Sequence, residues 1–172
     1  MKQLRYPGRF KREGRFIEVH LPGIGPFGTT TQGLDLDEAR LMASDALTMK
    51  LQDIYGYRGT YPDVPDSVPS SHKRETWEWI YPSLEVRLAW RMRQMREARG
   101  WTQQEAAQRL GLSATTYTRW ENPRTFNPTV KTLERLAELY GQPLVIAIGS
   151  DKEPAQISRR RTSSAPAATA TA

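Results

Sequence analysis

The stretch TQQEAAQRLGLSATTYTRWEN, residues 102–122, predicts two short helices joined by a tight turn. Thr102 and Glu105 have the spacing of a capping box, in which the side chain of each residue accepts the backbone amide of the other. Gly111 allows the left-handed conformation of a sharp helix end, and Ser113 is suited to cap the second helix. This stretch therefore decides the fold of the C-terminal half.

The two helices have complementary faces. Ala106, Ala107 and Leu110 share one face of the first helix. Tyr117 and Trp120, three residues apart on the second, turn toward that face. A small residue within the first helix, a glycine at the turn and two large apolar residues on the second helix are typical of the helix-turn-helix that reads DNA. A three-helix module that packs against protein is the alternative interpretation.

The outward side chains of this motif are short, polar or cationic, as contacts with base edges and phosphates require. We predict that the DNA-binding residues are Gln103, Ser113, Ala114, Thr115, Thr116, Thr118, Arg119 and Arg124.

The charge of the chain is divided unevenly. The net charge is +6, and residues 1–70 carry nine basic and nine acidic side chains, whereas residues 71–172 carry sixteen basic and ten acidic ones. The 172 residues are enough for two small domains. A basic half that contains a helix-turn-helix, joined to a neutral half, is the pattern expected of a DNA-binding module with a partner module.

Composition excludes several classes of site. The chain has no cysteine, and therefore neither disulfides nor a thiolate metal site. It has no apolar run of about 18 residues to span a membrane, and its first residues lack a signal-peptide core. Gly23, Gly25 and Gly28 fit the spacing GxGxxG, but Pro26 interrupts it, so we interpret these glycines as turn residues. We expect a cytoplasmic protein without a cofactor.

The N-terminal half alternates strands with one helix. Residues 3–10 predict an edge strand, because Pro7 is tolerated there. Trp77 and Trp79 alternate with polar residues on the last strand and are predicted to face the core. The predicted elements are strands at 3–10, 15–21, 29–31 and 75–81, a helix from a cap at Asp35 to Ile54, and a loop at 56–71.

The C-terminal half predicts a four-helix bundle over residues 84–99, 103–110, 114–121 and 129–140. Asn127 is the predicted cap of the last helix, with Pro128 at its first position. A β-rich apolar run follows and predicts an edge strand that pairs with a second copy to give a dimer or tetramer. The dimerisation residues are Leu144, Val145, Ile146, Ala147 and Ile148. Residues 150–172 are predicted to be a disordered tail.

The order of these elements resembles the HicB-type antitoxins. The N-terminal resemblance lies in a strand with Tyr6, the turn GRFIEV (14–19), a Leu21-Pro22 break, and TQGLDLDEARLMASDAL (31–47). The C-terminal half resembles the Xre or Cro-like repressors, which some HicB proteins carry. One departure is the turn PGIGPFG, where the family often has Asp-Leu-Pro-Gly.

The resemblance implies an α+β fold with two domains. Residues 1–82 would be a partial ribonuclease H-like domain, a small antiparallel sheet with one helix, that binds a small basic HicA-type toxin and masks the active site of this mRNA-cleaving ribonuclease. Residues 83–149 would be an all-α helix-turn-helix domain with a short pairing strand, which binds operator DNA and represses the operon.

Two other functions stay open at this point. An enzyme with a ribonuclease H-like sheet needs carboxylates that converge on metal ions, but the first predicted strand offers no acid and the second only Glu18. His20 and His72 have no evident catalytic partners. We therefore expect no enzymatic activity. A stand-alone or phage-type repressor, whose N-terminal domain senses a ligand or protein, is the other alternative.

Overall fold

The computed structural model describes residues 2–72 and 74–143, and these form an antiparallel sheet with helices followed by a helical unit. The predicted mixed α+β class is confirmed, while the ribonuclease H-like label stays a prediction. The predicted dimerisation residues 144–148 and the tail lie outside the described residues. The elements are β1 (Tyr6–Glu13), β2 (Phe16–Leu21), β3 (Thr29–Gly33), α1 (Leu36–Arg58), β4 (Glu75–Ile80), α2 (Leu84–Glu97), α3 (Gln103–Arg109), α4 (Ala114–Glu121) and α5 (Val130–Tyr140).

The sheet has the strand order β3-β2-β1-β4, with antiparallel neighbours throughout. The prediction that the first strand is an edge strand is wrong, because β1 lies between β2 and β4. The β1–β2 register runs from Arg9–His20 to Glu13–Phe16. Pro7 lies beyond the end of this ladder, so its missing amide costs no hydrogen bond to β2.

Helix α1 covers one face of the sheet. Val19 and Leu21 from β2 meet Ala43 and Leu47 from α1, and all four are fully buried. The helix continues four residues past its predicted end at Ile54 and stops only at Gly59, which has a left-handed φ of 65°. The loop predicted at 56–71 is correspondingly shorter.

The tryptophans of β4 lie on the face opposite to the predicted one. Ile80 is the buried β4 residue that packs in the core. Side chains alternate along a strand, so Trp77 and Trp79 face away from α1 and are only half-buried. The guanidinium of Arg5 lies 4.1 Å from the ring centre of Trp79, which partly covers that ring from water.

Helix α2 contributes to two hydrophobic cores. Val86 and Trp90 pack with the sheet and α1, whereas Ala89 and Met92 pack with the helices that follow. The apolar residues of this helix recur at the helical period and predict a single buried stripe of Leu84, Leu88, Met92, Met95 and Ala98. In the structure Leu84 is 55% exposed. That part of the prediction is wrong because α2 buries two faces.

Helix α5 closes the C-terminal unit. Its N-cap is Thr129, whose hydroxyl accepts the Thr132 amide at 3.3 Å, so the predicted cap at Asn127 is wrong. Its last residue, Tyr140, is fully buried. None of the helices in residues 2–72 and 74–143 has both the length and the hydropathy that a bilayer span requires.

Candidate nucleic-acid interface

The first helix of the motif begins as its sequence predicts. Thr102 Oγ1 accepts the Glu105 amide at 3.1 Å, and Glu105 Oε2 accepts the Thr102 amide at 2.7 Å. These two bonds form the predicted capping box. They favour the ionised carboxylate, so the pKa of Glu105 lies below its usual range, chiefly through the Thr102 amide.

The turn between α3 and α4 depends on one glycine. Gly111 has a left-handed φ of 65°, a conformation that residues with a Cβ rarely adopt. The Leu112 amide then donates to Ala107 O at 2.9 Å. Ser113 follows as the N-cap of α4, with its hydroxyl accepting the Thr116 amide at 3.1 Å. The helix, turn and helix predicted from residues 102–122 are therefore confirmed.

Helix α4 turns its polar side outward. The predicted contact residues in α4 and at its N-cap that are exposed are Ser113, Ala114, Thr115, Thr118 and Arg119. Thr116 is half-buried, with its hydroxyl 2.9 Å from that of Ser113. Among residues 2–72 and 74–143, Arg119 takes part in no ion pair. A guanidinium free of internal partners on an exposed helix is available to phosphate or a guanine edge.

The opposite side of α4 is anchored by Tyr117. This side chain is fully buried, and its hydroxyl lies 2.6 Å from that of Tyr140 on α5. Burial is the main reason that the pKa of Tyr117 is raised, so the phenol stays neutral and keeps this bond. Trp120 is half-buried against the same core.

A buried ion pair joins α4 to α2. Glu121 is fully buried, and its carboxylate accepts two bonds from Arg96, from Nε at 2.5 Å and from Nη2 at 2.9 Å. Arg96 Nη1 also donates to Trp101 O at 2.8 Å. The bond to Glu121 is the main reason that the pKa of Arg96 is raised. A bidentate pair of this kind restrains the angle between α4 and α2.

Gln103 extends the same network to α3. Its amide nitrogen donates to Glu121 Oε2 at 2.9 Å, and its amide oxygen accepts from Thr118 Oγ1 at 2.9 Å. The predicted DNA contact thus has both ends of its amide engaged inside the protein. In this arrangement Gln103 positions α3 against α4, and a contact with phosphate requires its amide to exchange partners.

Arg124 also has an internal partner. It follows α4, and its Nη2 lies 2.6 Å from Asp53 Oδ1 on α1, in a pair whose side chains are 50% and 52% exposed. Nearby, Gln52 Nε2 donates to Pro123 O at 3.2 Å. The segment after α4 is therefore attached to the N-terminal unit.

Sequence patterns did not reveal Arg96 and Glu121. A signal exists, because Glu121 lies four residues after the inward-facing Tyr117 and so falls on the same helix face. A carboxylate in that position needs a cationic partner. Helix α2 offers several arginines, and only the folded geometry selects Arg96.

A comparison with known proteins agrees with this geometry. The family model of a helix-turn-helix domain matches residues 87–145, which include most of α2 and all of α3, α4 and α5. The chain therefore contains a helix-turn-helix domain, a class of domain that indicates DNA binding. None of the curated protein sequences compared with the chain matches it.

Proposed function

We propose that this protein is a HicB-type antitoxin. In this proposal the N-terminal unit binds a small basic HicA-type toxin and masks its active site, and the helix-turn-helix binds operator DNA and represses the operon. The observation that carries the proposal is the order of elements. Three strands, a long helix and a returning strand precede the helix-turn-helix, which is the order that the HicB resemblance implies.

The distribution of charge supports this division of labour. The half with the helix-turn-helix holds the whole excess of positive charge, as a module that binds phosphate requires. The neutral half can meet a basic protein without the repulsion that a basic surface would create. The proposal includes no catalysis by this chain, so the purified protein is expected to leave RNA intact.

Coexpression tests the proposal directly. The chain is produced with an affinity tag alongside the small basic protein encoded next to its gene, and the complex is isolated at physiological salt. We expect the two proteins to copurify, and the complex to protect RNA that the neighbour alone cleaves. A neighbour that neither copurifies nor loses activity would contradict the proposal.

A cleft favours a second candidate, a repressor that senses a ligand. A space of about 430 Å³ lies between residues 60–66 and α2, lined in part by Tyr61, Trp90 and Arg93. The Tyr61 hydroxyl is buried and finds no hydrogen-bond partner in the described residues. An unsatisfied hydroxyl in a cleft can be completed by a ligand. In this case the chain would bind DNA but not the neighbouring protein, so coexpression separates the two candidates.

A further inference from the structure

Large apolar side chains are exposed along the outer face of α1. Leu41, Met42 and Met49 are 62%, 41% and 64% exposed. These three residues, with Glu38 and Asp45, form what we call the α1 stripe. It lies opposite the buried face of the helix, which consists of Ala39, Ala43, Leu47 and Leu51. Exposed apolar surface gathered on one element marks an interaction site more often than scattered apolar residues do.

The α1 stripe is acidic as well as apolar. Its charged members are Asp45 and Glu38, and Glu38 Oε2 also accepts the Leu34 amide at 2.6 Å. The cations of α1 lie elsewhere. Arg40 turns toward the sheet and binds the Glu78 carboxylate at 2.8 Å, while Lys50 and Arg58 lie outside the stripe. The surface thus combines carboxylates and flexible apolar side chains with no positive charge.

This chemistry argues against two kinds of occupant. A nucleic acid would place its phosphates against carboxylates and would be repelled. A second copy of α1 packed antiparallel about a twofold axis near the middle of the stripe would bring two Asp45 carboxylates together, an arrangement that like-charge repulsion disfavours. The remaining complement is a protein surface with basic and apolar side chains together.

We propose that the α1 stripe is the docking surface for a basic protein partner with an apolar patch. Methionine and leucine fill the patch, and the carboxylates select positive charge at its rim. The inference rests on the proposed function to the extent that it gives the toxin this surface. The chemistry of the partner, basic and apolar together, follows from the α1 stripe alone and does not depend on that identity.

Coexpression with the neighbouring basic protein tests the site. Met49→Lys and Asp45→Lys each reverse the chemistry of the stripe, and we expect each to weaken binding by about tenfold or more. Phe27→Ser is the matched control, because Phe27 is 94% exposed and lies off the stripe; it should leave binding unchanged. Thermal melting checks that all variants are folded. If the wild type binds the neighbouring protein and both lysine variants bind it equally tightly, the inference is overturned while the proposed function is left intact.

A second measurement covers the case in which the neighbour does not bind. Fluorescence anisotropy compares a labelled amphipathic peptide of leucine and lysine with one in which glutamate replaces every lysine. We expect the full-length chain to bind the lysine peptide more tightly, and Met49→Lys to remove that preference. With this result and no bound neighbour, the proposed function fails and the docking surface stands. Equal binding of both peptides would overturn the docking surface.

Discussion

Glu121 joins three helices of the helix-turn-helix domain, namely α2, α3 and α4. Its carboxylate is fully buried and receives two bonds from Arg96 on α2 and one from Gln103 on α3. Removing one member of a buried pair leaves the other charge without compensation, which costs more than the pair itself contributes.

Glu121→Ala is therefore expected to lower the free energy of unfolding by about 3–5 kcal/mol. Glu121→Gln keeps an acceptor for Arg96 and should cost less. Urea denaturation measures both variants, with Glu85→Ala, which removes an exposed carboxylate from α2, as the control. A loss in Glu121→Ala no larger than in this control would contradict the role assigned to the network.

Arg119 is the outward counterpart of Glu121. It is exposed on α4 and has no ion-pair partner in the described residues. We expect Arg119→Ala to weaken binding to the DNA upstream of the gene by about 1–3 kcal/mol if the guanidinium reads a guanine. Gel-shift titration gives the affinity, with Arg58→Ala on α1 as the control for loss of one positive charge. An equal loss on duplex of random sequence would show that the contact is to phosphate.

At the scale of elements, the caps and the turn of the helix-turn-helix were predicted correctly from local spacing, whereas the cap of α5 was not. The Thr102 and Ser113 caps and the Gly111 turn involve residues no more than five apart, so the sequence contains nearly all that determines them. Features that depend on distant partners were not predicted correctly. The face of β4 follows from its pairing with β1, and alternation alone does not say which side meets α1.

The prediction of a single buried face for α2 was wrong for a related reason. A single stripe assumes one buried face, but Trp90 packs toward the sheet while Met92 packs toward the helix-turn-helix. Prediction of the candidate DNA-binding residues has the same limit, because their partners within the protein are distant in the sequence. Outward residues of α4 follow from helical period, whereas the partners of Gln103 and Arg124 lie 15 to 71 residues away.

The cap of α3 leads to a prediction about pH. Thr102→Ala removes the hydroxyl that accepts the Glu105 amide and should cost about 1 kcal/mol of stability at neutral pH. The folded state depresses the Glu105 pKa, so the contribution of this carboxylate is present above its unfolded pKa and is lost as pH falls through the lower folded pKa.

Urea denaturation between pH 3 and pH 7 should therefore show a weaker acid loss of stability in Glu105→Gln than in the wild type. Glu134→Gln, which changes an exposed glutamate on α5, is the control. Parallel stability curves for the wild type and Glu105→Gln would show that the capping bonds do not favour the charged carboxylate.

At the scale of the whole molecule, the two units are joined on two sides. Helix α2 inserts side chains into both cores. Helix α1 binds the segment after α4 through Gln52 and Asp53. A change at α1 can therefore reach the segment that follows α4 through direct contacts. The α1 stripe lies on the same helix, so a docked partner would act close to Asp53.

The Asp53–Arg124 pair is the point at which this connection can be measured. If Arg124 contacts DNA as predicted, the Asp53 carboxylate and a DNA phosphate would compete for its guanidinium. An exposed ion pair of this kind contributes only about 0.2–1 kcal/mol. Asp53→Asn should therefore raise affinity for duplex of random sequence by about two- to fivefold. It should also steepen the dependence of affinity on salt by about one phosphate contact.

Asp45→Asn is the matched control for this measurement, because it makes the same change of charge on α1 at a residue with no ion pair to Arg124. Fluorescence anisotropy with labelled duplex at several salt concentrations gives both quantities. Adding Arg124→Ala to Asp53→Asn should abolish the gain, because the released guanidinium is then absent. If Asp45→Asn raises affinity as much as Asp53→Asn does, the effect comes from net charge and the pair does not restrain Arg124.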